Sequence, residues 1–152
     1  MKAIIFDFGG CLYNHAAKKL TIGAEDTLTY YRGKYKLALV SLSDDVNKRI
    51  ELLQMLGIDK MFDKVTVVNK NMGDKDIMHF MECCEEFDVS PEECYVVGDR
   101  IKKEIKLGNS LKMKTVWFKN QDSPFAVEMP VDDEEKPKYI ISSLLELKRI
   151  VP

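Results

Sequence analysis

Near its N-terminus the chain reads Lys2-Ala3-Ile4-Ile5-Phe6-Asp7-Phe8-Gly9-Gly10-Cys11-Leu12, and this stretch constrains the fold more than any other. Residues 3–6 are an unbroken apolar run. A short run of this kind, bounded by turn residues, fits a strand buried on both faces of a parallel sheet. It stops at an aspartate, and an ionised group directly after a buried run is costly unless it is used. In open parallel α/β sheets ligands bind just beyond the carboxyl ends of the strands. Asp7 is therefore a candidate functional carboxylate. Gly9 and Gly10 allow the backbone to turn sharply and to approach a ligand closely.

The remainder alternates buried runs with helical patterns. Residues 36–40 predict a second strand ending on Ser41, and residues 64–68 a third. Residues 94–97 predict a fourth, ending at Gly98-Asp99. Residues 115–118 predict a fifth, and 139–141 a short edge strand. Helices are expected over 24–32, stopped by Gly33, and over 44–56, capped by Ser43, with Val46, Ile50, Leu53 and Leu56 at helical spacing. A third helix is expected over 75–87, capped by Asp74, with Ile77, Phe80, Met81 and Cys84 facing inward. A fourth is expected over 101–110, and a last one starts at Ser142 or Ser143. Residues 13–20 read as an excursion over the strand ends. Residues 120–138 are polar, acidic and proline-punctuated, and read as a long surface loop. The expected fold is α/β: a three-layer Rossmann-like sandwich with a mostly parallel sheet of five or six strands and helices on both faces. Beyond the opening stretch, only Tyr13 to Tyr35 separates the first two strands. The expectation is one domain over 1–152, with a short flap at about 13–35 and no large cap.

Lys and Arg total 23 against 25 Asp and Glu, so no basic footprint points to nucleic acid. Cys11, Cys83, Cys84 and Cys94 show no C-x-x-C spacing, which suggests neither zinc nor a disulfide framework. No apolar run is long enough to span a bilayer, and the first strand leaves no room for a signal peptide. The expectation is a cytoplasmic protein with reduced thiols and no membrane partner. The oligomeric state is open. The methionines read as core filler, and the acidic run 131–135 as solvated.

Four polar residues fall at strand ends or helix starts in the order Asp7, Ser41, Lys75, Asp99. The pattern Phe6-Asp7-x-x-Gly10-x-Leu12 resembles the first motif of the haloacid dehalogenase-like (HAD) hydrolases. Leu39-Val40-Ser41 resembles the second, Gly73-Asp74-Lys75 the third, and Val96-Val97-Gly98-Asp99 with Glu104 the fourth. The resemblance runs from Lys2 to about Phe118. It implies a phosphatase in which Asp7 is the nucleophile and becomes phosphorylated. Such an attack splits one hard step into two, and the rest of phosphoryl transfer is positioning and charge neutralisation. Asp7 and Asp99 together would repel a phosphate dianion unless a cation lay between them, and Mg2+ suits such oxygen ligands. By resemblance its ligands are Asp7, the carbonyl of Gly9, and Asp99, with Glu104 on a metal-bound water. Ser41 and Lys75 would bind the phosphoryl oxygens, with backbone N–H groups around Gly10 as further donors. Asp44 and Asp45 read as acids of a helix start, not as metal ligands.

The pattern breaks at one place. Most phosphatases of the family carry a second aspartate two positions after the nucleophile, which protonates the leaving oxygen and later activates water. Here that position is Gly9. General acid–base help is worth roughly 10²–10⁴-fold. His15 is the one histidine near the motif and the candidate substitute. The haloacid dehalogenases lack that aspartate too, but hold their substrate under a sizeable helical cap, for which this chain has no room. The expectation is a phosphatase with weakened acid–base catalysis, acting on a phosphorylated small molecule or macromolecule. The alternative is an inactive relative that binds a phosphorylated ligand or protein.

Overall fold

The computed structural model describes residues 2–152. The layering follows from alternation along the first strand, β1 (Ala3–Phe6). Successive strand residues face opposite sides of a sheet. Ala3 and Ile5 join one core cluster, with Phe80, Cys83 and Cys84. Ile4 and Phe6 join the other, with Leu28, Tyr31 and Leu53. A strand that is apolar on both faces needs cover on both, and it receives it.

The chain continues through a small hairpin, β2 (Tyr13–Asn14) and β3 (Lys19–Leu20), then α1 (Ala24–Tyr31), β4 (Lys36–Ser43), α2 (Val46–Met55), β5 (Lys64–Asn69) and α3 (Ile77–Phe87). It ends with β6 (Cys94–Gly98), α4 (Lys106–Ser110), β7 (Lys114–Phe118) and β8 (Tyr139–Ile141). Six strands form one sheet in the order β5-β4-β1-β6-β7-β8, and every pairing in it is parallel. Helices α1 and α2 cover one face together with a 3-10 segment, Leu144–Arg149. Helices α3 and α4 cover the other. This is the expected three-layer α/β sandwich. Only the hairpin and α1 lie between β1 and β4, so no large cap stands over the strand ends.

Several boundaries differ from expectation, each for a local reason. β4 runs on to Ser43, and α2 is capped by Asp45, whose side chain accepts from the Lys48 amide. Helix α3 starts at Ile77, capped by Asp76 with His79 completing a capping box. Asp74 is therefore not the cap, and Lys75 precedes the helix instead of lying in its first turn. Ile77 is exposed, whereas Phe80, Cys83 and Cys84 form the buried face. The helix after Asp99 begins as a π-helical turn, Ile101–Ile105, in which the Ile105 amide donates to the Arg100 carbonyl at 3.4 Å. Met55, Met72 and Met78 are exposed rather than core. The 120–138 stretch is less loose than its composition suggests: Asn120, Ser123 and Glu135 are buried, and Glu135 pairs with Lys102 at 3.1 Å. No helix among the described residues is long and apolar enough to cross a membrane.

Candidate active site

The site lies where the sheet order reverses. β1 is flanked by β4 and β6, with Phe6 opposite Leu39 on one side and Val97 on the other. Asp7 leaves β1 at its carboxyl end, Ser41 stands near the end of β4, and Asp99 follows β6. Three adjacent parallel strands thus bring three side chains to one carboxyl edge, as open α/β sheets do at such switch points; Asp7 and Asp99 line the crevice there, and Ser41 holds Arg49, which lines it too. Lys75 reaches in from the segment before α3, and the π-helical turn brings in Glu104. All five are buried: Asp7, Ser41, Lys75, Asp99 and Glu104.

Their mutual geometry is tight. The Lys75 ammonium donates to Asp7 Oδ1 and lies 3.8 Å from Glu104 Oε2. Asp7, Asp99 and Glu104 each place a carboxylate oxygen within 4.8 Å of the others. Burial pushes the Asp7 carboxyl up, but the Lys75 charge and hydrogen bond outweigh it, and Asp7 stays below the ordinary carboxylate range. Burial lowers Lys75, and its acidic neighbours, Asp7 first, more than reverse this. Asp99 is pushed up to about 7 by burial and by the Asp7 charge. Glu104 is pushed well above the ordinary range by the same two causes. Three carboxylates against one ammonium leave an unbalanced negative cluster. Asp99 Oδ1 and Glu104 Oε1 are buried without a hydrogen-bond partner. Hard oxygen donors, crowded and unpaired, are what a small divalent cation requires.

Glycine makes this crowding possible at two positions. Gly10 has φ +75°, and a Cβ there would lie 2.1 Å from Asp99 Oδ2. A Cβ at Gly98 would lie 2.6 Å from Glu104 Cγ, so the bare strand end is what lets Glu104 lie across it. The amides of Gly10 and Cys11 donate inside the loop, to Tyr13 and Phe8 carbonyls at 2.9 and 3.1 Å. The expected phosphate-binding N–H of Gly10 is therefore engaged, and Gly10 contributes conformation and space instead. Cys11 is buried and its thiol is pushed well up by burial and by Asp7, as suits a packing residue.

The structure adds residues that the sequence did not single out. Ser123 donates to Asp99 Oδ2, and Asn120 donates to the Gly10 carbonyl at 2.9 Å. Trp117 donates to the Asp99 carbonyl at 3.0 Å. Arg49 donates to Ser41 Oγ and to the Leu42 carbonyl, and lies over the Phe8 ring. The strand-end rule was a usable signal for Asn120, two residues past β7. Ser123 and Arg49 carried none, because a loop and a helix bring them in. Asp44 is exposed and away from the acidic cluster. Among the basic residues that follow Asp99, Arg100 and Lys103 line the site, and Lys102 and Lys106 turn to Glu135.

The sequence model of the haloacid dehalogenase-like hydrolases matches residues 15–111, well over half of the chain. The chain belongs to that family. This HAD-like hydrolase is 28% identical over 126 residues to the N-acylneuraminate-9-phosphatase of Rattus norvegicus, covering 82% of this chain and 48% of that protein. It is 27% identical over 130 residues to the glyceraldehyde 3-phosphate phosphatase of Pyrococcus furiosus, covering 85% of this chain and 53% of that protein. The chain thus spans about half the length of the curated relatives it matches. In fold it superimposes on an uncharacterized protein from Listeria monocytogenes serotype 4b with a TM-score of 0.79, at 19% identity over 99% of this chain and 97% of the other.

One more feature completes the pocket. The β2–β3 hairpin folds His15 back over the loop that follows Asp7, edge-on to Tyr13 with ring centroids 5.0 Å apart. A Cβ built on Gly9 would lie 2.7 Å from His15 Nε2. The imidazole stands where a side chain at position 9 would begin. Burial, with the neighbouring Arg49 charge, holds its pKa below the ordinary histidine value.

Proposed function

We propose that this HAD-like hydrolase is a magnesium-dependent phosphatase that forms an aspartyl phosphate on Asp7. In this reading His15 carries the proton transfers that a second carboxylate performs in most phosphatases of the family. The observation that carries the reading is one crevice lined by Asp7, Lys75, Asp99, Glu104 and Arg49, with Ser41 hydrogen-bonded to Arg49 at its wall and the His15 ring filling the space above Gly9. The names of the curated relatives, phosphatases of two different phosphorylated compounds, support the reaction class.

Asp7, Asp99 and the Gly9 carbonyl would hold Mg2+, with Glu104 close enough to ligate it or to hold a water on it. When bound, the ion neutralises the carboxylate cluster and the phosphoryl oxygens. The chain supplies the rest. Ser41 Oγ already accepts from Arg49, so its own proton is free for a phosphoryl oxygen. Lys75 supplies a second, charged donor. Asp7 Oδ2, the oxygen not held by Lys75, attacks phosphorus. The bond from phosphorus to the ester oxygen breaks, and the electron pair leaves with that oxygen. His15, in the protonated form that its lowered pKa makes the minor one near neutral pH, gives its Nε2 proton to it, so this step is expected to be favoured at acidic pH. A water molecule then attacks the same phosphorus and gives a proton to His15. The bond from phosphorus to Asp7 breaks, and inorganic phosphate departs. The whole chain is read as one catalytic domain whose flap is the His15 hairpin, acting on a phosphorylated small molecule.

The test is hydrolysis of p-nitrophenyl phosphate and of an alkyl phosphate, with and without magnesium. The wild type is expected to turn over both with magnesium, and Asp7→Asn neither. His15→Ala should lose about 10²–10⁴-fold on the alkyl ester and far less on the aryl ester, whose leaving group needs no proton. Equal losses on the two esters would remove His15 from proton transfer. No magnesium-dependent turnover of either ester by the wild type would leave a phosphate-binding protein in place of an enzyme.

A further inference from the structure

The pocket over Asp7 has an inner part of about 170 Å³ and opens into a wider mouth of about 510 Å³. Gly9, His15, Leu42, Arg49, Asp99 and Phe125 line both. The inner part suits a phosphoryl group and its cation. The mouth has room for the body of a small organic molecule, and its walls are unequal in charge.

Four cations line the inner part, and three are matched. Lys75 is paired with Asp7, Lys103 with Asp74, and Arg100 stands 3.9 Å from Glu128. Arg49 has no carboxylate within ion-pair distance among the described residues. Its Nη1 is held by Ser41 Oγ and, at 3.2 Å, by the Leu42 carbonyl, and its plane lies 4.7 Å from the centre of the Phe8 ring. Among the described residues Nε and Nη2 have no protein acceptor. The guanidinium is thus fixed in place with half of its donor fork unused, beside the phosphoryl site. Farther out the mouth gains Lys70, which has no carboxylate within ion-pair distance among the described residues, and a further acid, Asp44, besides Asp99. Leu42, Pro124 and Phe125 supply apolar surface between. A half-buried arginine held by a hydroxyl, a carbonyl and a ring, on which Asp7 and Asp44 act only from beyond ion-pair distance, is arranged to accept a planar or forked anion.

We infer that Arg49 forms a second anion subsite, so that this site prefers small phosphate esters carrying a carboxylate or another acidic group a few bonds from the phosphoryl group. This rests on the phosphatase reading for the position of the phosphoryl group, and on the free guanidinium for the second charge. Arg49 then has two tasks. It orients Ser41 through Nη1, and it selects substrate through its remaining donors.

Binding separates this inference from catalysis. Calorimetric titrations of Asp7→Asn in magnesium compare two matched pairs: 3-phosphoglycerate with glycerol 3-phosphate, and 2-phosphoglycolate with 2-hydroxyethyl phosphate. Each pair differs only by a carboxylate in place of a hydroxymethyl group. The carboxylated member of at least one pair is expected to bind about tenfold tighter or more, as charge-assisted hydrogen bonds imply. Adding Arg49→Met should reduce that ratio to within about twofold, while Arg49→Lys, which keeps the charge but not the fork, should fall between. Equal binding within both pairs, or a preference that survives Arg49→Met, overturns the Arg49 subsite and leaves the phosphatase reading standing. Failure of all four esters to bind Asp7→Asn overturns the phosphoryl site itself, and the Arg49 subsite with it. Thermal unfolding of each variant shows that the fold is kept.

Discussion

Residue 9 shows how a single side chain can be missing and yet its space be used. Gly9 leaves the loop after Asp7 without a second carboxylate, and the His15 ring occupies the volume so freed. Restoring the common residue is therefore not a simple gain. In Gly9→Asp the new Cβ meets His15 Nε2 at 2.7 Å, and the ring must swing out of the pocket. The expected outcome is little or no gain in alkyl phosphate turnover for Gly9→Asp alone. Gly9→Asp with His15→Ala should exceed His15→Ala by about 10²-fold or more, because the carboxylate then has room to act. Steady-state rates of the three variants on one alkyl ester check this. Gly10 has the opposite character, since nothing replaces it. A side chain there would stand against Asp99 Oδ2 at 2.1 Å and require a residue at φ +75°. Gly10→Ala is expected to lower both the melting temperature and magnesium affinity.

At the scale of elements, the π-helical turn and the loop after β7 do the positioning that strands alone do not. The turn Ile101–Ile105 places Ile101, Glu104 and Ile105 together as buried residues. Ile101 and Ile105 pack on Trp117, and Glu104 turns toward Asp7. Wide turns of this kind often mark functional sites. The loop contributes through Ser123, whose hydroxyl donates to Asp99 Oδ2 and holds down the proton affinity of that carboxyl. Ser123→Ala removes this donor while leaving the fold's core untouched. Asp99 should then hold its proton more strongly, and magnesium should bind several-fold more weakly near pH 7. A magnesium titration followed by thermal shift measures the difference.

For the molecule as a whole, the active site is a reservoir of unfavourable charge. Burial and the Asp7 charge raise Asp99 to about 7, and Glu104 is raised well above its ordinary value. An acid with a folded pKa above its unfolded value favours the folded state less as pH rises between the two values. Without metal, stability from Asp99 is expected to fall as pH goes from about 4 through 7, and Glu104 acts in the same direction as pH rises above its ordinary value. Magnesium binding requires the ionised carboxylates, so it releases protons and strengthens over the same interval. The increase in melting temperature on adding magnesium should be larger at pH 8 than at pH 6. An equal increase at both values would separate the ion from Asp99 and Glu104. Asp7 has the opposite sign. Its lowered pKa contributes stability that is present at neutral pH and is lost only as pH falls below its ordinary range.

The sequence by itself determined the sheet, the order of its strands along the chain and the place of Asp7, the residue proposed as nucleophile. Apolar runs such as 3–6 and 94–97 can be satisfied only by burial on both faces, and their ends fix where Asp7 and Asp99 emerge. It also showed the gap at Gly9. Boundaries near Lys75 were harder to read, because Asp74 and Asp76 are equally good caps in sequence and only the backbone path selects Asp76. Tertiary structure alone decided what stands around the nucleophile. His15 over Gly9, Arg49 on Ser41 and Ser123 on Asp99 are contacts between elements with no shared periodicity or spacing. Local pattern records which residues are buried together along one strand or helix, whereas contacts across loops depend on how the packed layers direct each chain segment over the sheet's carboxyl edge.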